Sequence, residues 1–144
     1  MKIAIQNLQK KIPIRAKKIE KLVLKVLQLE KIKTPGQLNF YFVNDDRIRQ
    51  LNLRYRGTGR ATDVLSFDLS LTADQLFADI VISAQTAVRN AGKFHVPPQQ
   101  ELCLYIIHGI LHLLGYDDKA VKDKRIMGNR QRALLKTLEN YASA

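Results

Sequence analysis

The spacing of apolar residues alternates along the chain between a period of two and a helical period, and each change predicts an element. Ile3 and Ile5 alternate with polar neighbours, as in a half-buried strand, and Leu38, Phe40 and Phe42 do the same further on. The predicted strands are residues 2–6, 37–43, 64–67 and 78–83. The predicted helices are an amphipathic stretch after Pro13, residues 44–55, a segment from Ser83 or Thr86 to near Gly92, residues 98–114 and residues 120–141. The short polar linker between the third and fourth strands favours an antiparallel connection.

Cap and turn residues predict where the second helix begins, which of its residues are buried and where the third helix ends. Residues 44–46 are Asn-Asp-Asp and can cap the second helix, whose Ile48, Leu51 and Tyr55 should then face inward. Gly92 can adopt the left-handed conformation that commonly ends a helix. We therefore expect the third helix to stop there.

The central helix, residues 98–114, is apolar nearly all round and should lie in the middle of the domain. It carries His108 and His112, which share one helical face because they are four residues apart. Gly115 can then reverse the chain and return Asp117 or Asp118 toward the two imidazoles. Burying two histidines without partners is costly, so the spacing favours an open metal site over two satisfied core histidines.

The residue after the first histidine separates this pattern from a familiar peptidase motif. In HExxH metallopeptidases that position is a glutamate, which acts as the general base. Here it is Gly109, which has no side chain to take a proton. A peptidase is therefore disfavoured.

The charge of the chain indicates a polyanionic partner. Twenty-four Lys and Arg against 13 Asp and Glu leave a formal charge of +11 over 144 residues, with a pI near 10.0. Nucleic acid is the commonest ligand for such a field. Residues 54–60 are basic and rich in glycine, and we expect them to form a mobile loop that can approach a phosphate.

Length and composition set the class of protein. The chain has the size of one ordinary domain, and we expect residues 1–144 to form it without an internal disulfide, since Cys103 is the only cysteine. Cys103 lies in an apolar helix and should be a small core residue. No apolar run approaches the ~18 residues of a membrane span, and the N-terminus lacks a signal peptide's apolar core. We expect a cytosolic protein, and its oligomeric state is not indicated.

Four motifs in order along the chain resemble those of one family. Residues 108–118, HGILHLLGYDD, resemble its HGxLHLxGYDH signature. Residues 51–57 resemble its LNxxYRG segment, residues 62–67 its TDVLSF segment and residues 79–83 its DIVIS strand. The family is YbeY, bacterial metal-dependent endoribonucleases of ribosomal RNA maturation.

The resemblance implies a fold and a site. The fold is an α/β (α+β) domain with a small mixed sheet of about four strands and about five helices. His108 and His112 correspond to the first two metal ligands, and Arg56 and His108 to the catalytic set. The third ligand is a histidine in the family, whereas this chain has Asp118 at that position. Asp117 would then be a partner of a ligand histidine or a helix cap.

The replacement by Asp118 leaves three outcomes open. A carboxylate oxygen is an accepted zinc ligand and would also suit harder divalent ions such as manganese or iron. Because aspartate is shorter than histidine, its loop would have to move inward, or a water would fill the gap. A weakened or empty site is the third outcome. We favour one bound divalent ion, with zinc first, held with an affinity that is reduced or altered by Asp118.

Two functions follow from the resemblance and the charge. The leading hypothesis is a single-strand-specific, metal-dependent endoribonuclease of ribosomal RNA maturation and ribosome quality control, with Arg54, Arg56 and Arg60 binding RNA. Its partners would be ribosomal RNA precursors and the ribosomal subunit or its proteins, with no membrane partner. The alternative is a basic RNA- or ribosome-binding factor whose hydrolytic site is vestigial.

Overall fold

Four strands form one mixed sheet in the computed structural model, which describes residues 1–142. They are β1 (Lys2–Asn7), β2 (Gly36–Val43), β3 (Val64–Asp68) and β4 (Leu76–Ser83). Their order across the sheet is β1-β2-β4-β3. The first, second and fourth run parallel, whereas β3 pairs antiparallel with β4 at the edge. The predicted strands and the antiparallel connection are confirmed.

Five helices and one short terminal turn accompany the sheet. They are α1 (Ala16–Leu29), α2 (Asp45–Arg56), α3 (Ala84–Phe94), α4 (Pro98–Leu113), α5 (Val121–Thr137) and α6 (Glu139–Ala142). The α/β fold class with a small mixed sheet is confirmed. Within residues 1–142, none of these helices combines the length and the apolar character that crossing a bilayer requires.

The main core lies on one face of the sheet, between the strands and helices α1 and α4. Leu38, Phe40 and Phe42 of β2 are fully buried there, as their alternation predicts. Helix α4 has buried residues along its whole length, which confirms its central position. Cys103 is one of them, and burial raises the pKa of its thiol to about 12, so it is an inert core residue as predicted.

The opposite face of the sheet carries a smaller apolar cluster under α2. Val43, Leu65 and Val81 pack there around Ile48, with Leu51 partly buried beside them. Tyr55 was predicted to face inward, but its side chain is 59% exposed. Its ring instead lies edge-on to Phe67, 5.4 Å between centroids, at the margin of the cluster.

The end of α3 and the start of α2 differ from the prediction. Helix α3 continues past Gly92, and the left-handed residue that ends it is His95, with φ of 56°. Histidine can occupy this conformation more readily than most residues, so glycine was not required. Asn44 precedes α2 but its side chain makes no capping hydrogen bond, and the Asp45 N–H is instead bonded by Gln85 Oε1.

The last predicted helix, residues 120–141, is divided in two. The backbone leaves the helical conformation at Leu138, whose side chain is buried. The break allows α6 to pack against α1 and α4 instead of continuing along α5. The apolar spacing of residues 120–141 also predicts Tyr141 on the same side of the helix as Met127 and Leu134, and its side chain is not among those that the structure describes.

Candidate metal centre

The end of α4 and the loop that follows it bring three metal-ligating side chains together. His108 and His112 lie on one face of the helix, which ends at Leu113. Gly115 then has φ of 99°, a left-handed backbone that side chains rarely adopt, and the chain turns back. As a result, Asp118 faces both histidines.

The three ligand atoms are close enough to share one ion. Asp118 Oδ2 is 3.5 Å from His112 Nε2 and 4.0 Å from His108 Nε2. The two imidazole centroids are 4.6 Å apart, and one potential ligand atom from each residue lies within 4.8 Å of the others. The histidines are half-buried and Asp118 is exposed, so the group opens to solvent.

The donor set fits a divalent ion. Bonds of roughly 2.0–2.2 Å in a tetrahedral site place neighbouring ligand atoms about 3.3–3.5 Å apart. The His112–Asp118 separation already meets this distance, and the His108–Asp118 separation exceeds it by about half an ångström. Both separations from Asp118 thus lie within about half an ångström of what a shared ion requires. Two imidazole nitrogens and one carboxylate leave a fourth position for water or substrate.

Gln131 of α5 contacts the metal centre, and no motif or spacing in the sequence indicated it. Its Oε1 contacts His108 Nδ1. An amide oxygen can only accept here, so His108 donates from Nδ1, and in the neutral ring Nε2 then keeps its lone pair toward Asp118. Gln131 thus performs the orienting role considered for Asp117, whose Oδ1 instead accepts a hydrogen bond from the Lys119 N–H, 3.1 Å away.

Gly109 is explained by packing against the sheet. A Cβ at this position would lie 2.9 Å from Ile80 Cγ2 and 3.0 Å from Val64 Cγ2. Ser66 Oγ also donates a hydrogen bond to the Gly109 carbonyl, 3.0 Å away. A glutamate would force α4 away from the strands, so the helix cannot carry the peptidase base at this position.

The loop between α4 and Asp118 is held from two sides. Tyr116 Oη donates to Glu30 Oε2 at the end of α1, 3.0 Å away, and Arg130 of α5 pairs with the same carboxylate. Burial and the neighbouring Glu30 carboxylate raise the pKa of Tyr116, so the phenol keeps its donor proton. These contacts fix the direction in which the chain returns toward the histidines.

Arg56 lies beside the metal centre, although it is far from the histidines in sequence. It belongs to the last turn of α2, and its Nη2 donates to the Ser66 carbonyl, 3.1 Å away. Its guanidinium carbon is 5.8 Å from the centre of the Phe67 ring. Arg56, Ser66 and His112 line one open groove of about 260 Å³, which we call the Arg56 groove.

The other candidate residues of the basic segment lie outside this groove. Residues 54–56 end α2, so only the part after Gly57 is a loop, contrary to the prediction that residues 54–60 form one. Arg54 stacks over the Tyr55 ring at 5.4 Å, and the Arg60 carbonyl accepts a hydrogen bond from Asn52. Both arginines are exposed to solvent.

Comparisons with known proteins show the family to which this chain belongs. The sequence model of the family Endoribonuclease YbeY matches residues 4–139. Endoribonuclease YbeY of Desulforamulus reducens is 36% identical over 96% of this chain and 97% of the relative. The protein of the same name from Syntrophus aciditrophicus is 36% identical over 98% and 92%. A solution structure from Thermotoga maritima has a TM-score of 0.66 and 30% identity, covering 98% of this chain and 92% of that one. The chain belongs to the endoribonuclease YbeY family.

Proposed function

We propose that this protein is a metal-dependent endoribonuclease that cleaves single-stranded RNA. Ribosomal RNA precursors are the proposed substrate, and ribosome maturation and quality control the proposed setting. The observation that carries the proposal is the position of Arg56 in one groove with His112 of the ligand group. Family membership and the net charge of +11 support RNA as the substrate.

His108, His112 and Asp118 would hold one divalent ion. When bound, such an ion lowers the pKa of a coordinated water and stabilises negative charge on phosphoryl oxygens. The chain's own contribution is to orient the ligands, through the contact of Gln131 with His108 and the anchoring of the loop by Tyr116. Zinc suits this set, and the carboxylate of Asp118 also admits harder ions.

Arg56 would bind the phosphate next to the scissile bond. Its planar guanidinium can donate two parallel hydrogen bonds to phosphate oxygens. The contacts with the Ser66 carbonyl and the Phe67 ring orient the side chain before substrate binds, which reduces the entropy lost on binding. A ribosomal RNA substrate would also require the protein to act in the cytoplasm, on or near a ribosomal subunit.

The first experiment measures metal content and RNA cleavage in the same preparations. Wild-type protein should contain one divalent ion per chain and cleave an unstructured RNA internally, and a chelator should abolish cleavage until metal is restored. His112→Ala should lower cleavage by more than about 100-fold. Mutating a residue that only hydrogen-bonds to a metal ligand already lowers metal affinity or activity by up to that factor, and His112 is a proposed ligand itself. Full RNA binding with neither metal nor cleavage would instead identify a basic RNA- or ribosome-binding factor.

The second experiment compares the three arginines of residues 54–60. Arg56→Ala should lower cleavage by about 100-fold, the scale of losing one donor to a developing negative charge. Arg54→Ala and Arg60→Ala remove the same charge from exposed positions outside the groove and should change cleavage by less than about threefold. Equal losses in all three variants would contradict a specific role for Arg56.

A further inference from the structure

Helix α5 presents a second, basic groove to the metal centre. One face of α5 carries Val121, the pair Lys124 and Arg125, then Gly128, and then the pair Gln131 and Arg132. Each step along this series covers three or four residues, which is one turn of helix. Together with His108 and Asp118 this face lines a groove of about 370 Å³, which we call the α5 groove. The Arg56 groove contains His112, so the two grooves meet at the ligand group.

The charges of the α5 groove are of one sign. Lys124, Arg125 and Arg132 are exposed, and none of them forms an ion pair with another residue of the described chain. Among residues 1–142, the only carboxylate lining the groove is that of Asp118, which belongs to the metal centre. Such a concave surface attracts an anion, because it holds three cations and no acidic residue that pairs with them. The cations are spread along the helix, which suits a ligand with several phosphates in a row.

Gly128 supplies the space in this groove. A glycine inside a helix costs about 1 kcal/mol relative to alanine, so its presence needs a reason. Here the Arg132 guanidinium folds back over the glycine, and a Cβ at position 128 would lie 3.4 Å from Nη1. The absence of a side chain therefore leaves the floor of the groove open between Lys124 and Arg132.

We propose that the α5 groove is a subsite for the RNA backbone on one side of the scissile phosphate. Lys124, Arg125 and Arg132 bind phosphates of nucleotides that do not react, while Arg56 binds at the other groove. A single strand crossing the ligand group would contact both grooves in turn. This inference rests on the proposed function for the position of the scissile phosphate, but the binding itself can be measured without cleavage.

The test compares two triple variants with the same change in charge. The first replaces Lys124, Arg125 and Arg132 with alanine. The control replaces Lys17, Lys21 and Lys25, exposed on α1 and absent from the lining of either groove at the metal centre. Binding of a fluorescent, unstructured RNA is measured by anisotropy across a series of salt concentrations, and circular dichroism and metal content verify the fold and the site of each variant.

The α5 variant should bind RNA at least about tenfold more weakly at 0.1 M salt. The slope of log affinity against log salt should fall by about two, because each phosphate of a single strand that the protein neutralises contributes about 0.7 to that slope. The control should bind less than about threefold more weakly, and its slope should fall by less than one. Equal weakening in the two variants, or unchanged binding by the α5 variant, would overturn the subsite.

A competition experiment separates RNA from an acidic protein as the occupant. Polyglutamate of matched charge should displace the RNA from wild-type protein much less effectively than unlabelled RNA does, and equal displacement would overturn the assignment to RNA. The two proposals also fail separately. Wild-type protein that cleaves no RNA contradicts the proposed function, whereas an α5 variant that binds and cleaves like wild type contradicts only this inference.

Discussion

Two polar clusters of this protein show how differently carboxylates can be accommodated. Asp45, at the start of α2, is buried and accepts hydrogen bonds from Ser83 Oγ and Thr86 Oγ1, each 2.6 Å away. Arg89 Nη1 lies 3.0 Å from its second oxygen. Asp118 Oδ2 instead faces two imidazole nitrogens, 3.5 Å away in His112 and 4.0 Å away in His108. Unlike Asp45, it accepts no hydrogen bond from a hydroxyl or a guanidinium of the described residues.

The comparison separates a structural cluster from a binding site. At Asp45 the protein supplies a donor for each oxygen, so the carboxylate is satisfied and ties α2 to α3. At Asp118 the carboxylate faces His108 Nε2, which carries a lone pair in the neutral imidazole when Nδ1 donates to Gln131. An arrangement of converging acceptors becomes favourable when a cation lies between them, and this group could hold the proposed divalent ion.

The largest expected effect comes from changing Asp118 itself. Asp118→Ala removes one of three ligands and should weaken metal binding by about 100-fold or more, measured by competition with a calibrated chelator. Asp118→His should restore high affinity and shift the preference toward zinc, because imidazole suits zinc better than the harder ions. Unchanged metal affinity in the alanine variant would show that Asp118 is not a ligand.

A change in the cluster around Asp45 should lower the stability of the fold and leave metal binding unchanged. Asp45→Ala removes hydrogen bonds to a charged group and should lower the free energy of unfolding by about 2–3 kcal/mol at neutral pH, measured by urea denaturation. Asp46→Ala is the matched control, since that side chain is 90% exposed and its ion pair with Arg49 lies at the surface. A loss of metal affinity in Asp45→Ala would contradict the separation of the two clusters.

The stability of Asp45→Ala should also depend on pH differently from that of the wild-type protein. Burial tends to raise the pKa of Asp45, but the hydrogen bonds from Ser83, Thr86 and Arg89 outweigh it and hold the pKa below its usual 3.8. A lowered native pKa stabilises the fold above the unfolded-state pKa, and this contribution is lost as pH falls through the native pKa. The difference in unfolding free energy between wild type and Asp45→Ala should therefore be constant near neutrality and shrink below about pH 4.

A smaller effect is expected from the contact that orients His108. Gln131→Leu removes the acceptor for the Nδ1 proton of His108 and should weaken metal binding by about tenfold. This is the lower end of the loss in metal affinity seen when a hydrogen-bond partner of a metal ligand is removed. Gln131→Glu keeps an acceptor oxygen and should retain the affinity. If the leucine variant binds metal like wild type, the imidazole is oriented by packing alone.

The smallest expected effect concerns two of the glycines that lie inside helices, Gly128 and Gly109. Gly128→Ala should raise the free energy of unfolding by about 0.5–1 kcal/mol, because alanine loses less backbone entropy and a Cβ meets only the flexible Arg132 side chain. Gly109→Ala should act in the opposite direction, since its Cβ would meet Ile80 and Val64 of the sheet. Thermal denaturation of the two variants distinguishes the cases, and stabilisation by Gly109→Ala would contradict the packing argument.

The sequence predicts well whatever depends on neighbours along the chain. Alternation of apolar residues located β1 and β2, and short apolar segments located β3 and β4. The four-residue spacing placed His108 and His112 on one face of a buried helix. The net charge follows from composition alone. Helix ends were predicted less well, because glycine at position 92 and histidine at position 95 both allow a left-handed end, and α3 ends at His95.

The tertiary structure decided which distant side chains act together. Arg56 lines a groove with His112 because α2 ends beside β3, whereas Arg54, two residues earlier, projects elsewhere. Gln131 reaches His108 because α5 packs along α4, and the same packing carries the basic face of α5 to the metal centre. Local spacing sets the face on which a residue lies, but only the packing of helices and strands determines what that face meets.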